Sequence, residues 1–370
     1  MRPVPTQNTF SHRPRVLVVG CGGIGGVLLC RLLEADIDVS VVTTNVAVRS
    51  ALVSSGPSLG GGAQLPALSE ERALSSAREA STGFDYVLLA VPPPEVERAA
   101  QEVLGVLRPE GRVVCFQNGL CEERVARFVG TERVIGAVVA WGASMPAPGR
   151  YEQTSAGGIT LGYLDERDDA ELEGLAGLLA HVCPISRTKN LLGARFSKLI
   201  INCVVSTLGT LGGAKLGALL KRSFVRHLAL EIVTEGVAVA RAEGVVLEPI
   251  ATTVDLDWLV LPQSGGSALG RGASLAARHA LLLAVGARYR RMRSSMLAAI
   301  ERGRTPSVDF LNGEIVERGR RHGVAVPVNG LAQRMVWEIA QGRRLAGLET
   351  LRELSVITRD GVASTPSAVA

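Results

Sequence analysis

Val16-Leu17-Val18-Val19-Gly20-Cys21-Gly22-Gly23-Ile24-Gly25 is the stretch that decides the fold. Four consecutive apolar residues predict a short strand buried on both faces. Gly20 to Gly25 then fit G-x-G-x-x-G, and Ile24 to Glu34 reads as a helix. Val39 to Val42 (VSVV) is a second strand, so the segment through Asn45 is a β-α-β unit of the kind that binds a nicotinamide dinucleotide. The glycines serve separate ends. Gly20 allows the tight turn, Gly22 lets backbone approach a pyrophosphate, and Gly25 lets helix and strand pack closely. Cys21, Gly23 and Ile24 complete the turn. The helix N-terminus behind it offers unsatisfied N–H groups and its dipole to phosphate.

The end of the second strand distinguishes the two nicotinamide cofactors. An acidic residue there binds the ribose 2′-hydroxyl. This chain has Thr43-Thr44-Asn45 instead, with Arg49 a turn later. With no acid to repel a 2′-phosphate, and with Thr44, Asn45 and Arg49 as donors, NADPH is the expected cofactor.

Working outward, Asp85–Val91, Arg112–Phe116 and Arg133–Val139 are further apolar runs alternating with helical segments, the pattern of a mostly parallel sheet. Glycine-broken, strand-like pieces run from Tyr151 to Gly162, and beyond Asn190 the periodicity is helical: Phe196–Leu211, Phe224–Glu243, Leu275–Arg293, Val308–His322 and Asn329–Gly342. The expected fold class is therefore α/β, a Rossmann-type doubly wound sheet over 14–188 followed by an all-helical domain over 189–345. Residues 1–13 and 346–370 read as loose tails, the latter largely disordered. Ser264–Gly272 (SGGSALGRG), within the stretch 263–272, reads as a flexible loop between helices.

The 370 residues are 47% hydrophobic and 20% charged, an ordinary globular balance. A net charge of +5 without basic runs interleaved with aromatics gives no nucleic-acid footprint. Ala287–Arg293 (ARYRRMR) is either the solvated face of a helix or a surface for an anionic ligand. The six cysteines form no C-x-x-C pair and no metal spacing with the five histidines, so no metal site is expected and a reducing cytoplasm is the expected compartment. The segment before the first strand lacks an apolar signal core, and the longest apolar runs fall short of the roughly 20 residues that span a bilayer, so no membrane association is expected.

In the helical half, Lys198, Asn202 and Ser206 recur at i, i+4 and i+8 in FSKLIINCVVSTL and so share one helix face. A lysine among apolar neighbours is costly to bury unless it is paired or catalytic, and burial lowers its pKa toward working pH. The alternative is a lysine snorkelling from the edge of a core helix.

Here the chain resembles the ketopantoate reductases (2-dehydropantoate 2-reductases), from about Val16 to Gly342. The matching pieces are GCGGIG, QNG at 117–119, GAVVAWGA and PGRYEQT between 136 and 154, FSKLIIN at 196–202, SSM at 294–296, VDFLNG at 308–313 and HGVAVPVN at 322–329. The resemblance implies NADPH-dependent reduction of the 2-keto group of ketopantoate to pantoate, for pantothenate and coenzyme A. It implies Lys198 as the catalytic residue that hydrogen-bonds the keto oxygen and supplies a proton. It also implies contact of Asn118 with the nicotinamide side or the substrate, of Asn202 with the substrate, and of Ser295 with the substrate carboxylate. A homodimer or a monomer is implied, with a small 2-keto acid as partner.

The departures fall at the same places. The family's second helix asparagine is Ser206 here, a shorter donor that reaches through water, and the glutamate of its T-E-I-D-x-x-N-G is Ser307. The basic residue usual after the second strand falls near Thr44, the lysine after the third main strand is Pro92, and the histidine of T-T-H-G-A is Trp141. Ser307 removes an anchor for the 4-hydroxyl of ketopantoate, and a site without that group discriminates weakly. Trp141 is either a wall of the pocket or a core residue. Glu301 and Asp309 are candidate replacements for the lost carboxylate, Asp309 being otherwise a helix-start residue. The substrate is thus ketopantoate or another branched 2-keto acid. A third reading is a protein that binds NADP(H) without catalysis. Opine and glycerol-3-phosphate dehydrogenases share the architecture but not the SSM and VDFLNG segments.

Overall fold

The computed structural model describes residues 13–249, 255–261 and 268–363. The chain divides between Leu192 and Gly193 into two compact units. The first carries strands β1 (Arg15–Val19), β2 (Asp38–Val42), β3 (Ser58–Leu59), β4 (Ala73–Leu74), β5 (Phe84–Leu89), β6 (Leu107–Cys115), β7 (Val134–Val139), β8 (Ala143–Ala147), β9 (Arg150–Gln153), β10 (Ile159–Tyr163) and β11 (Ile185–Arg187). Its helices are α1 (Gly23–Glu34), α2 (Val46–Ser54), α3 (Val96–Val103), α4 (Cys121–Val129) and α5 (Ala170–Leu179). An eight-stranded sheet runs in the order β11-β10-β7-β6-β5-β1-β2-β4. All neighbours pair in parallel except β7 with β10. The order reverses between β1 and β5, and in open sheets of this kind ligands bind at the carboxyl ends of the strands beside such a reversal.

The core explains the strand assignments. Val16, Leu17 and Val18 of β1 and Tyr86, Val87, Leu88 and Leu89 of β5 are fully buried, as expected of central parallel strands covered on both faces. A buried carboxylate needs partners. Asp85, at the edge of that core, accepts from the Arg15 backbone N–H at 2.7 Å and pairs with Arg108 at 2.8 Å, tying together β1, β5 and β6. A second, three-stranded sheet (β3-β9-β8) belongs to the same unit. Trp141 is buried in the hydrophobic core of this unit, with Cys183 as a neighbour, which favours the core reading over that of a pocket wall.

The second unit is helical: most of α6 (Leu191–Gly212), then α7 (Leu216–Leu220), α8 (Ser223–Ala242), α9 (Leu256–Leu259), α10 (Ala268–Arg288), α11 (Ser295–Ile300), α12 (Asn312–His322), α13 (Pro327–Ala340) and α14 (Leu348–Ala363). Helix α8 is central and packs on α7, α9, α10, α12, α13 and α14. A chain of polar contacts welds the bundle. Glu235 of α8 accepts from the backbone N–H groups of Val328 (2.8 Å) and Asn329 (2.9 Å) and from the Asn329 amide (2.7 Å). The Asn312 amide donates to Asn329 Oδ1 at 2.8 Å, and Asn312 accepts from the Thr207 hydroxyl. Burial pushes the Glu235 carboxyl above its usual range, and the hydrogen bonds from Asn329 and Val328 pull against that.

Four expectations are corrected. Within the extension expected to be disordered, α14 forms over Leu348–Ala363, buries Leu351 and Leu354, and packs on α8 and α13 because its apolar residues recur on one helical face, while 364–370 lie outside the described residues. The loop expected over 264–272 lies outside the described residues as far as 267, and from Ala268 the chain is already α10, since the alanine- and leucine-rich stretch that follows propagates helix back through two glycines. Helix α6 is long and apolar enough to cross a bilayer, contrary to the reading of short apolar runs, but 67% of its most apolar window is buried within the protein, as in a core helix. Asp309 does not start a helix; it lies inside a 3-10 turn, Ser307–Phe310. The tail expected over 1–13 falls outside the described residues except for Arg13.

Candidate functional site

The glycine turn follows β1 and is built by close approach. Gly20 has φ +98°, a conformation that glycine adopts freely, and an added Cβ there would lie 2.7 Å from the Val91 nitrogen. A Cβ on Gly25 would fall 1.8 Å from the Gly20 carbonyl oxygen, so helix and strand touch as the motif requires. Gly22 differs: nothing lies within 4 Å of the place its Cβ would take. Of the three motif glycines, only the one assigned to the pyrophosphate therefore faces open space. Helix α1 has no side-chain cap and no acid in its first turn, so its N-terminal dipole is uncompensated and suited to phosphate. These residues fit a dinucleotide.

Two residues that sequence reasoning left without a role hold the turn in place. Tyr151 of β9 lies against α1, with ring atoms 2.0 Å from where a Cβ on Gly26 would sit. Its hydroxyl is 2.9 Å from Cys21 Sγ. The signal was present in Gly26, a glycine inside a helix, which costs about 1 kcal/mol against alanine unless something packs against it. Burial pushes the Cys21 thiol up to about 12, while the hydrogen bond from Tyr151 acts to lower it. Gln117, buried beside Asn118, donates to the carbonyls of Leu89 (2.9 Å) and Val91 (3.2 Å) and so fixes the end of β5 against the loop after β6. Asn118 itself is exposed.

After β2, Thr43 is buried while Thr44 and Asn45 are exposed. Asn45 caps α2 by accepting from the Val48 N–H at 3.2 Å, which leaves its amide nitrogen as a donor. Arg49 is partly buried, and its charge reaches Glu79, whose carboxyl is held below the usual range chiefly by the Ser75 hydroxyl and only slightly by Arg49.

In the helical unit, α6 carries Lys198, Asn202 and Ser206, all partly buried. The Asn202 Nδ2 is buried with no hydrogen-bond partner among the described residues. Leaving such a donor unmade costs about 1–3 kcal/mol, an expense expected where a ligand completes the bond. Ser294 caps α11 by accepting from the Leu297 N–H (3.2 Å); its hydroxyl also bonds the Ser206 carbonyl (2.9 Å) and lies 2.8 Å from Thr210 Oγ1. The buried Ser294 thus holds the exposed Ser295 next to the Ser206 end of α6. Of the SSM segment, the sequence reading chose the second serine and missed this anchoring role of the first. Ser307 is partly buried at the start of its 3-10 turn.

Both candidate carboxylates are engaged in contacts of their own. Glu301 pairs with Arg293 at 2.6 Å on the surface. Asp309 accepts from Gln333 (2.7 Å) and the Trp337 indole (2.9 Å). In the basic run, Arg288 lies over the Tyr289 ring and residues 287–293 are exposed, a solvated helix end.

Comparison with known proteins matches both halves. The family profile "Ketopantoate reductase PanE/ApbA" covers residues 16–166, and "Ketopantoate reductase PanE/ApbA C terminal" covers 190–340. A 2-dehydropantoate 2-reductase of Pyrococcus abyssi is 24% identical over 336 residues, 89% of this chain and 97% of that one. The crystal structure of a PanE/ApbA family ketopantoate reductase from Ralstonia eutropha superposes with a TM-score of 0.73 at 24% identity, covering 89% of this chain and 99% of that one. D-mandelate dehydrogenase, solved as a ternary complex with NADH and anilino(oxo)acetate, shares the fold with a TM-score of 0.73 at 18% identity, covering 90% of this chain and all of that one (100%).

Proposed function

The chain belongs to the ketopantoate reductase family and is an oxidoreductase of that family, and from this premise we propose that it reduces 2-dehydropantoate to pantoate with NADPH, in the synthesis of pantothenate. The observation that carries the reading is the α6 face, where Lys198 and Ser206 flank the unsatisfied amide of Asn202. The cofactor, when bound at the glycine turn, supplies a hydride for the carbonyl carbon. Gly22 and the N–H groups of α1 take its pyrophosphate, Thr44 and Asn45 its 2′-phosphate, and Asn118 its nicotinamide side. Lys198 donates a hydrogen bond to the keto oxygen and passes its proton there as negative charge develops, so that hydride on carbon and proton on oxygen complete the alcohol. Such a proton donor contributes roughly 10²–10⁴-fold. Asn202 donates to the substrate, Ser206 adds a second donor, and Ser295 binds the carboxylate. The cysteines are buried thiols outside any disulfide, which supports a reducing cytoplasm as the compartment.

The alcohol end of the pocket favours broader use. With Ser307 in place of an acid, and with Glu301 and Asp309 committed elsewhere, no carboxylate is assigned to the 4-hydroxyl. The test is steady-state turnover of ketopantoate against 3,3-dimethyl-2-oxobutanoate, which lacks only that hydroxyl. We expect NADPH-dependent turnover of both with kcat/KM within about tenfold, whereas a site built for the hydroxyl discriminates by roughly 10⁴ or more. Cofactor binding without turnover of either acid would contradict the proposal and favour a non-catalytic NADP(H) protein.

A further inference from the structure

A cavity of about 330 Å³ opens on the helical unit, lined by Gln333, Arg334, Trp337 and Glu338 of α13 and by Arg343 of the turn that follows. None of these residues has a part in the proposed reduction. The four helix residues share one face at i, i+1, i+4 and i+5, and the Arg343 N–H donates to the Glu338 carbonyl at 2.8 Å, which folds the turn over the same face.

The wall is hydrogen-bonded from behind. Asp309 accepts from both Gln333 Nε2 (2.7 Å) and Trp337 Nε1 (2.9 Å), so the single donor of the indole is used and its ring is left as an apolar surface. The charges are sorted as well. Glu338 is taken by Arg344 at 2.6 Å, and Arg344 is bound in turn by Glu353. Arg334 is exposed and makes no hydrogen bond or ion pair among the described residues; among them the Arg343 guanidinium meets only the Gln341 side-chain oxygen. Two guanidinium groups without a carboxylate partner therefore border an oriented indole, in a cavity of the size that holds small ligands.

We infer that this cavity is a binding site for a small aromatic carboxylate: the ring lies against Trp337 and the carboxylate takes the planar donors of Arg334 and Arg343. The inference is independent of the reductase reading.

Calorimetric titration of the full chain with benzoate tests it, with acetate and inorganic phosphate as ring-free anions. One saturable benzoate site is expected, with quenching of tryptophan fluorescence at the same midpoint. Arg334→Ala, at an exposed position, should weaken benzoate at least tenfold while circular dichroism stays unchanged. Acetate and phosphate should bind at least tenfold more weakly than benzoate, and Lys198→Ala should leave benzoate affinity as it was. The absence of a saturable site, or indifference to Arg334→Ala, would overturn the inference. So would phosphate or acetate binding as tightly as benzoate. Loss of binding in Lys198→Ala would also overturn it by assigning the ligand to the α6 face.

Discussion

The glycine turn and the α6 face solve opposite problems. The turn is built from backbone: a Cβ on Gly20 or Gly25 would come within 2.7 and 1.8 Å of backbone atoms, and only Gly22 is left open. The α6 face is built from side chains on a scaffold that tolerates exchange, and one of its donors, Asn202 Nδ2, waits unsatisfied. A backbone site admits almost no substitution and its sequence stays recognisable. A side-chain site can alter its chemistry one residue at a time without disturbing the helices that carry it.

Substitutions probe that difference in descending order of effect. Gly25→Ala forces a methyl group into the Gly20 carbonyl; strain of about 3 kcal/mol corresponds to roughly a hundredfold loss of NADPH affinity, measurable by cofactor fluorescence. An effect below threefold would show that the turn yields as easily as a side-chain site. Glu235→Ala strips the partners from the Val328 and Asn329 N–H groups and from the Asn329 amide, and should cost about 2 kcal/mol in chemical unfolding.

The same residue gives a pH signature. Its carboxyl is raised above the ordinary value, so its protonation stabilises the fold fully below that ordinary value, and this contribution is lost as pH rises through the raised one. The stability difference between wild type and Glu235→Gln should narrow across that interval; a constant difference would remove burial as the cause.

Gly26→Ala should cost about 1–2 kcal/mol by pushing on the Tyr151 ring, and Tyr151→Leu in the same chain should recover most of it. Additive losses would show that the two residues do not share the space. The smallest effect is at Cys21, whose thiol is raised to about 12. Iodoacetamide should leave it unmodified in the folded protein at neutral pH, and rapid alkylation would show that the turn opens.

What was legible in the sequence follows the same division. Strands buried on both faces, the glycine spacing and the helical periodicity after Asn190 are local patterns, and they gave the β-α-β unit and the helical unit directly. Contacts between distant segments were not legible: Tyr151 reaches Cys21 across 130 residues, and Glu235 reaches Asn329 across 94. The VDFLNG and HGVAVPVN segments were legible only as pieces of the resemblance, and the structure shows Asn312 and Asn329 within them welding α6, α8, α12 and α13. Trp141 was ambiguous because an indole suits both a pocket and a core, and only its burial in the core beside Cys183 decides for the core. The tail from 346 was read as disordered because its terminal Ser, Pro and Ala residues masked the apolar face of α14.

The proposed chemistry rests on a backbone cradle that holds the cofactor while Lys198 supplies the proton. Single-turnover reduction of ketopantoate by the NADPH-bound protein, followed by loss of reduced-cofactor absorbance in wild type and Lys198→Ala, measures this directly. NADPH affinity should be unchanged within about twofold, and the hydride-transfer rate lower by roughly 10²–10⁴-fold in the variant. Hydride transfer at the wild-type rate in Lys198→Ala would contradict that division of labour.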